Sequence, residues 1–472
     1  MAERPVAVVI GAGPAGLGPL VSAMQRGAHG PLLDRGVVWV EAGSRVGRGA
    51  VGDYAIASDT SASVLLECLG GGPRNPLSAL SGSAEAARVR GYGTGPLPLA
   101  TAADFLEAVG RVCSDVVAAH PASALLLGTR AVSLQVPDRR GGLARGGVRV
   151  RLNDGTQICA DTAVQALGGH QDWARVLTQE VAHGIRLNDG YAPSAFATTA
   201  LVAPGGVEQL TERLTAYAHP RVVVIGSSHS AVTTVDLLLS SPIPFGEGAI
   251  TLLCRRLPTI SYPDAASAVT DGYHAFGPRD ICPVTGRVHR LSGLRMAGRD
   301  LLRRVWRLGG SAPEPRVRIA LLPETGEPAL RGLLDGASVI VPAFGYRPRT
   351  LPVHDESGRR VPLLAGTGAR APLVDHRCRV LRADGSPVAG LLGAGLASGF
   401  IPSGRRMGGE PSFRGQTNGI WLYQNGVGQL ILEQLRPVRG RAAPRATPRS
   451  PQAIPDHRQG GDRAARRTAV KG

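Results

Sequence analysis

Two short stretches, beginning 215 residues apart, constrain what this chain can fold into. In the first, the apolar run 6–10 ends in Gly11-Ala12-Gly13-Pro14-Ala15-Gly16, and an apolar, helix-like segment follows to about Arg26. A strand handing over to a helix through glycines at this spacing is the fingerprint of a dinucleotide-binding unit. Gly11 permits the tight turn, Gly13 lets the backbone approach a diphosphate, and Gly16 lets the helix lie close to its strand. Pro14 and Ala15 lie between them and are counted with the same site. The diphosphate is expected at the helix N-terminus, where N–H groups and the helix dipole favour negative charge. The next apolar run ends at Glu41, placed to accept hydrogen bonds from a ribose hydroxyl pair. Glu41 follows Gly11 by 30 residues, more than the usual ~20. The loop Gly-Ala-His-Gly-Pro-Leu-Leu-Asp-Arg-Gly accounts for the excess.

The second stretch repeats the pattern with larger residues. The run 221–225 ends in Gly226, and Ser228 and Ala231 occupy the other two glycine positions. Ser228 keeps a small side chain whose hydroxyl can donate to a phosphate, and Ser230 is counted with it. Ala231 sets the helix slightly further from its strand. The following strand ends just before Arg255 and Arg256, where an acid would prefer a plain ribose. Guanidinium forks recognise phosphate well, so the pair points to a 2′-phosphate. The alternative is a structural turn with two solvated arginines.

Between these units, residues 102–118 predict a helix with Phe105, Leu106, Val109, Val112 and Val116 on its buried face. A hairpin turning at Asn153-Asp154-Gly155 follows, then a short strand ending Gln-Ala-Leu-Gly-Gly-His. After the second unit come a basic helix candidate at 291–308, a strand ending Ala-Phe-Gly-Tyr, and a return to the first domain through "VAGLLGAGLASG". There Gly390, Gly393 and Gly395 are expected to let a strand end pass close to a cofactor. A closing helix covers 418–435. The expected boundaries are a first nucleotide domain at 1–170, a second at 171–345, a return segment at 346–435 and a disordered basic tail at 436–472.

Charge and cysteine usage narrow the class. The net charge is +17, of which +8 falls in the last 37 residues, and nearly every basic residue is Arg. That bias reads as composition, so no nucleic-acid partner is expected, although binding of a polyanion through the tail stays open. The six cysteines form no CxxC pair and no zinc spacing, which suits a reducing compartment. The apolar N-terminus runs straight into the glycine motif and lacks signal-peptide features. No apolar stretch reaches the ~18 residues of a spanning helix. A cytoplasmic protein is expected.

The ordered set "GAGPAG", Glu41, "GSSHSA", "QALGGH" and "AFGYRP" resembles the two-dinucleotide-binding-domain flavoproteins, most closely the flavin-dependent, N-hydroxylating (class B-type) monooxygenases. The similarity spans roughly residues 5–435. It implies an α/β fold of two Rossmann-like domains, an FAD domain split around an NADPH domain, with a β-meander insert. It also implies FAD on the first motif and NADPH on the second. The activity implied is oxygenation of a small-molecule soft nucleophile, foremost an amine or amino-acid nitrogen, by O2 through a C4a-peroxyflavin. Phe344 stands where the family has Thr, and "GGHQDW" does not meet the Baeyer–Villiger fingerprint. The missing CxxC removes the disulfide reductases of the same superfamily. An NADPH:acceptor reductase without oxygen transfer is the alternative. The sequence names no catalytic side chain. His170 and His229 are read as structural, and the hydroxyls of 58–63 either face the flavin or cap a helix through Asp59 or Thr60. His274 and His289 carry no metal-ligand spacing.

Overall fold

The computed structural model describes residues 4–137, 147–368, 371–402, 407–417 and 419–435. The expected basic tail, 436–472, lies outside them. Two largely parallel sheets organise the rest, and their central strands, Ala7–Ile10 and Val222–Ile225, are unbroken apolar runs because both faces are covered.

The first sheet has six strands in the order Arg379–Leu381, Pro387–Gly393, Thr162–Gln165, Ala7–Ile10, Val37–Val40, Ala124–Leu126. All neighbours are parallel except the edge pair Arg379–Leu381 and Pro387–Gly393. Ala7 lies opposite Val37 on one side and Thr162 on the other, so Ala7–Ile10 is central. The chain leaves this sheet after Gln165 and re-enters it only at Arg379. In the interval it builds the second sheet, in the order Val317–Leu321, Ile250–Cys254, Val222–Ile225, Val339–Pro342, parallel throughout. Alternate residues serve opposite cores: Val222 and Val224 pack with Leu252 and Val341, while Val223 and Ile225 pack with Leu253 and Ile340. This is the α/β architecture of two nucleotide domains expected from the two motifs.

The expected meander is a four-stranded sheet ordered Val353–His354, Ala131–Gln135, Val148–Leu152, Gln157–Ala160. Val148, Val150 and Leu152 point inward and Arg149 and Arg151 outward, the period-two pattern that set its register. A two-stranded ladder, Gly169–His170 against Arg347–Pro348, ties the exit from the first sheet to the exit from the second. Beside it, Leu351 N donates to Oε1 of the buried Gln165 at 2.9 Å.

Several helices differ from the sequence reading. The helix Leu99–Ala118 buries Phe105, Leu106 and Val109 as expected, but Cys113 and Val117 take the inner positions and Val112 and Val116 are only half-buried. Gly110 explains the rotation: a Cβ there would collide with the carbonyl of Val46, so the loop at 46–47 seats directly on the helix backbone. The basic helix is Met296–Trp306, shorter at both ends than 291–308. The closing helix contains a π-turn, Tyr423–Val427. Next to that turn, Gly18 and Gly428 let the closing helix and the helix Pro14–Gln25 approach backbone to backbone. Neither Asp59 nor Thr60 caps the helix at Ala62–Leu65. Its N-cap is Ser61, which makes no side-chain cap bond. Among the described residues no helix is long and apolar enough to cross a membrane, and no cluster of His, Cys, Asp or Glu could hold a metal ion.

Candidate functional site

The first receptacle forms where Ala7–Ile10 ends. Gly11 has φ +99°, a left-handed value that favours glycine, and a side chain there would strike the carbonyl of Ala166. A Cβ on Gly16 would strike the carbonyl of Gly11, so the helix lies against its own turn. Trp39 Nε1 donates to Gly16 O at 3.1 Å and anchors that turn to the neighbouring strand. Gly13 is different: a Cβ would find only Gly49 Cα at 3.3 Å and Gly49 N at 3.8 Å. That contact is tight but far looser than those at Gly11 and Gly16, and it leaves the backbone open on the side away from Gly49. Gly13 is the N-cap of Pro14–Gln25 and, lacking a side chain, leaves the first-turn N–H groups uncapped. Donors and dipole there suit an anion.

Glu41 lies beside this opening. Its Oε2 accepts from Ala12 N at 2.7 Å and Oε1 from Gly43 N at 2.8 Å. A carboxylate offers about four lone-pair directions, so two remain for hydroxyl donors. Gly395, at φ +114°, brings the returning chain to the same place, with the site of a missing Cβ 3.5 Å from Gly168 N and 3.6 Å from Ala15 Cβ. Gly393 and Gly390 serve other ends. A Cβ on Gly393 would meet Val374 Cγ1 at 2.8 Å, and one on Gly390 would meet Val148 Cγ2 at 2.9 Å. Those two glycines admit the edge hairpin and the meander. Gly49 and Gly168 join the receptacle unannounced. The glycine-rich run "VGRGAVG" was the available signal for Gly49.

The second receptacle repeats the geometry in the second sheet. Gly226, at φ +148°, has its missing Cβ 2.7 Å from the Ala343 carbonyl and 3.3 Å from Ala231 Cβ. Ala231 is fully buried, so Ala at the third glycine position is accommodated. Ser228 is the N-cap of His229–Ser240 yet makes no cap bond. Its exposed hydroxyl instead lies 3.3 Å from Ser230 Oγ. Arg255 and Arg256 directly follow Ile250–Cys254, the strand beside Val222–Ile225, and both are exposed. Arg255 makes one long bond, from Nη2 to Glu180 O at 3.4 Å. Burial pushes the adjacent Cys254 thiol up to about 12, so it is inert.

Burial and Tyr54 raise the Tyr346 phenol above its usual range. The rings of His170 and His229 each keep a buried Nδ1 without a partner. The segment 277–295 packs onto the return segment. Glu410, buried, accepts from Leu291 N at 2.9 Å, Ser292 N at 2.8 Å and Ser292 Oγ at 2.8 Å. Cys282 is buried here too. Burial opposes its ionisation, but donors from Thr285, Gly409 and Val284 outweigh it and bring the thiol down to about 6.

With this geometry in hand, the comparisons are informative. No family model matches the chain. A CMP-5′-(3-aminopropyl)phosphonate hydroxylase from Streptomyces rubellomurinus is 33% identical over 448 residues, covering 91% of this chain and 96% of that protein. The chain belongs to this hydroxylase family. Among solved structures, L-lysine 6-monooxygenase from Pseudomonas syringae aligns over 92% of this chain and 99% of its own, with TM-score 0.50 and 17% identity. The FAD-bound cadaverine monooxygenase of desferrioxamine biosynthesis from Erwinia amylovora aligns over 92% and 94%, with TM-score 0.51 and 14% identity. At those identities the structures speak for the fold alone, and it is the fold of flavin-dependent monooxygenases. The hydroxylase relationship rests on the sequence. It makes this chain an oxidoreductase of the monooxygenase type, the activity that the ordered motifs implied.

Proposed function

We propose that the chain is an FAD- and NADPH-dependent N-hydroxylase acting on the primary amine of a nucleotide-linked aminoalkylphosphonate. One observation carries the substrate class: the match to the phosphonate hydroxylase, at 33% identity, covers nearly the full length of both chains. The overall reaction consumes one amine, one O2 and one NADPH with a proton. It yields the hydroxylamine, water and NADP+, so one oxygen atom goes to nitrogen and the other leaves as water.

The residues fit the two cofactors. Gly11, Gly13, Pro14, Ala15 and Gly16 cradle the FAD diphosphate, Glu41 takes the ribose hydroxyls and Gly395 brings the returning chain alongside. Gly226, Ser228, Ser230 and Ala231 form the NADPH counterpart, and Arg255 and Arg256 hold the 2′-phosphate. Flavin chemistry supplies hydride acceptance and oxygen activation when the cofactor is bound. The protein's own part is positioning and exclusion of water. The ladder of Gly169–His170 with Arg347–Pro348 holds the exits of the two sheets together. The Glu410 clamp draws the segment 277–295 over the return segment.

The test is turnover of CMP-5′-(3-aminopropyl)phosphonate with NADPH and oxygen, followed by mass spectrometry. A product heavier by one oxygen atom, formed in step with NADPH loss, supports the reading. NADPH loss that yields only hydrogen peroxide across a panel of amines, together with fast reduction of a quinone, would instead identify a reductase.

A further inference from the structure

The segment 287–299 gathers four arginines, and three of them lack a counter-ion. Some partly buried arginines of this chain form forks with carboxylates, while others, such as Arg213 and Arg347, bond to backbone carbonyls. Arg303 forms a double contact with Asp271, at 2.7 and 2.6 Å, and Arg316 does the same with Glu314, at 2.7 and 2.8 Å. Arg287, Arg290 and Arg295 are also half-buried, yet none has a carboxylate partner among the described residues. Arg290 donates to Met407 O, and Arg295 Nη2 donates to Arg290 O at 2.8 Å. The fourth, Arg299, pairs only with the exposed Asp300. Burial, and then the guanidinium groups of Arg295, Arg290 and Arg299, push the Arg287 pKa below the usual arginine value. Glu410, an acid in this packing, is taken up by Leu291 and Ser292.

Two further features fall in the same place. The helix Met296–Trp306 starts there, with Arg295 as an N-cap whose side chain makes no capping bond, so the helix's positive end adds to the unbalanced charge. His289 and Met296 both hold positive φ, +44° and +46°, without being glycine. Strain of this kind persists where surrounding structure enforces it and clusters at ligand sites. A groove of about 670 Å³ opens at the seam, lined among others by Val284, Leu291, Ile401, Glu410, Phe413 and Arg414. That volume is in the range of small-molecule sites. The return segment, which forms its far wall, also passes the first receptacle at Gly395.

We propose that Arg287, Arg290 and Arg295 form an anion subsite for the phosphoryl and phosphonyl groups of the substrate, with the rest of the substrate lying in the adjoining groove. The subsite rests on the substrate class proposed above. Like charges crowded without acids cost energy in the free protein, and a multiply charged phosphorus ester offsets that cost when bound. Guanidinium forks also discriminate such an ester from a free diamine or amino acid.

The experiment compares wild type with Arg287→Gln, Arg295→Gln and the charge-conserving Arg287→Lys. Equilibrium dialysis measures binding of CMP and of inorganic phosphate, and steady-state kinetics give KM for NADPH. Circular dichroism melts exclude misfolded variants. The expected result is CMP binding by wild type, weakened at least tenfold in both Gln variants, partly kept in Arg287→Lys, with KM for NADPH unchanged. This outcome upholds the subsite even if no hydroxylated phosphonate is ever found. CMP binding unaltered by both Gln variants overturns it and leaves the hydroxylase reading standing. A rise in KM for NADPH, with CMP binding intact, reassigns the cluster to the cofactor's phosphate and overturns it as well. Absence of CMP and phosphate binding in wild type also overturns it, and the hydroxylase reading is then judged on product alone.

Discussion

The three glycines of the first motif do different work, and substitution separates them. A side chain on Gly11 or Gly16 meets a backbone carbonyl that cannot move, so Gly16→Val should destabilise the fold by about 1–3 kcal/mol or more. A Cβ on Gly13 meets only Gly49, at 3.3 Å. Gly13→Val should therefore keep native circular dichroism while the flavin-to-protein absorbance ratio falls below about a tenth of wild type. Full flavin retention would remove the diphosphate from this site. Arg255 and Arg256 are both exposed and all but unengaged, so replacing both with Ala should hardly change the melting temperature. It should raise KM for NADPH roughly tenfold to a hundredfold, because each charge-assisted hydrogen bond lost is worth about 1.5–3 kcal/mol. KM for NADH should barely move. Parallel changes for the two cofactors would mean the arginines do not read the 2′-phosphate.

At the level of elements, the second sheet ends in a strand held by charge. Glu314 is 6% exposed and precedes Val317–Leu321, bonded by Arg316 in a fork and by Arg304 Nη1 at 3.1 Å. The fork of Arg316 holds the Glu314 carboxyl below the usual carboxylate range, with Arg304 adding to it. Its folded pKa therefore lies below the unfolded value of about 4.3. The stabilisation is complete above that pH and fades as pH falls through the depressed value. Glu314→Gln should cost about 1–3 kcal/mol near pH 7, a range that allows for the partly exposed arginines. In urea melts from pH 7 to pH 3 the gap between variant and wild type should narrow on acidification. A gap independent of pH would show that packing, not charge, supports the strand. Helix faces are where the sequence reading slipped. Val112 and Val116 fit the helical period as well as Cys113 and Val117 do. The choice fell to Gly110, whose bare backbone admits the loop at 46–47.

Across the whole molecule, the Glu410 clamp is a buried tie between the return segment and the segment 277–295. Its carboxylate receives two backbone N–H groups and one hydroxyl from Leu291 and Ser292. Glu410→Gln exchanges one acceptor oxygen for a donor facing those same N–H groups, so the segment 277–295 should loosen from the return segment. Flavin content and KM for NADPH should hold, while the share of NADPH that ends as hydrogen peroxide should rise several-fold. Unchanged coupling would mean that this seam does not shield the reacting centre from water.

The sequence by itself determined both nucleotide units, their order and the class of chemistry. Parallel strands buried on both faces must be continuous apolar runs, and a turn at positive φ under a helix must be glycine at Gly11 and Gly226. Such local requirements leave local marks. Tertiary structure alone decided which small residues face a ligand. Gly13 and Gly393 look alike in the chain, yet one opens beside Gly49 and the other is filled by Val374 and Val380. It alone also brought Arg287, Arg290 and Arg295 together with no carboxylate partner among the described residues. Burial and charge balance are sums over residues distant in sequence, and no short stretch carries them.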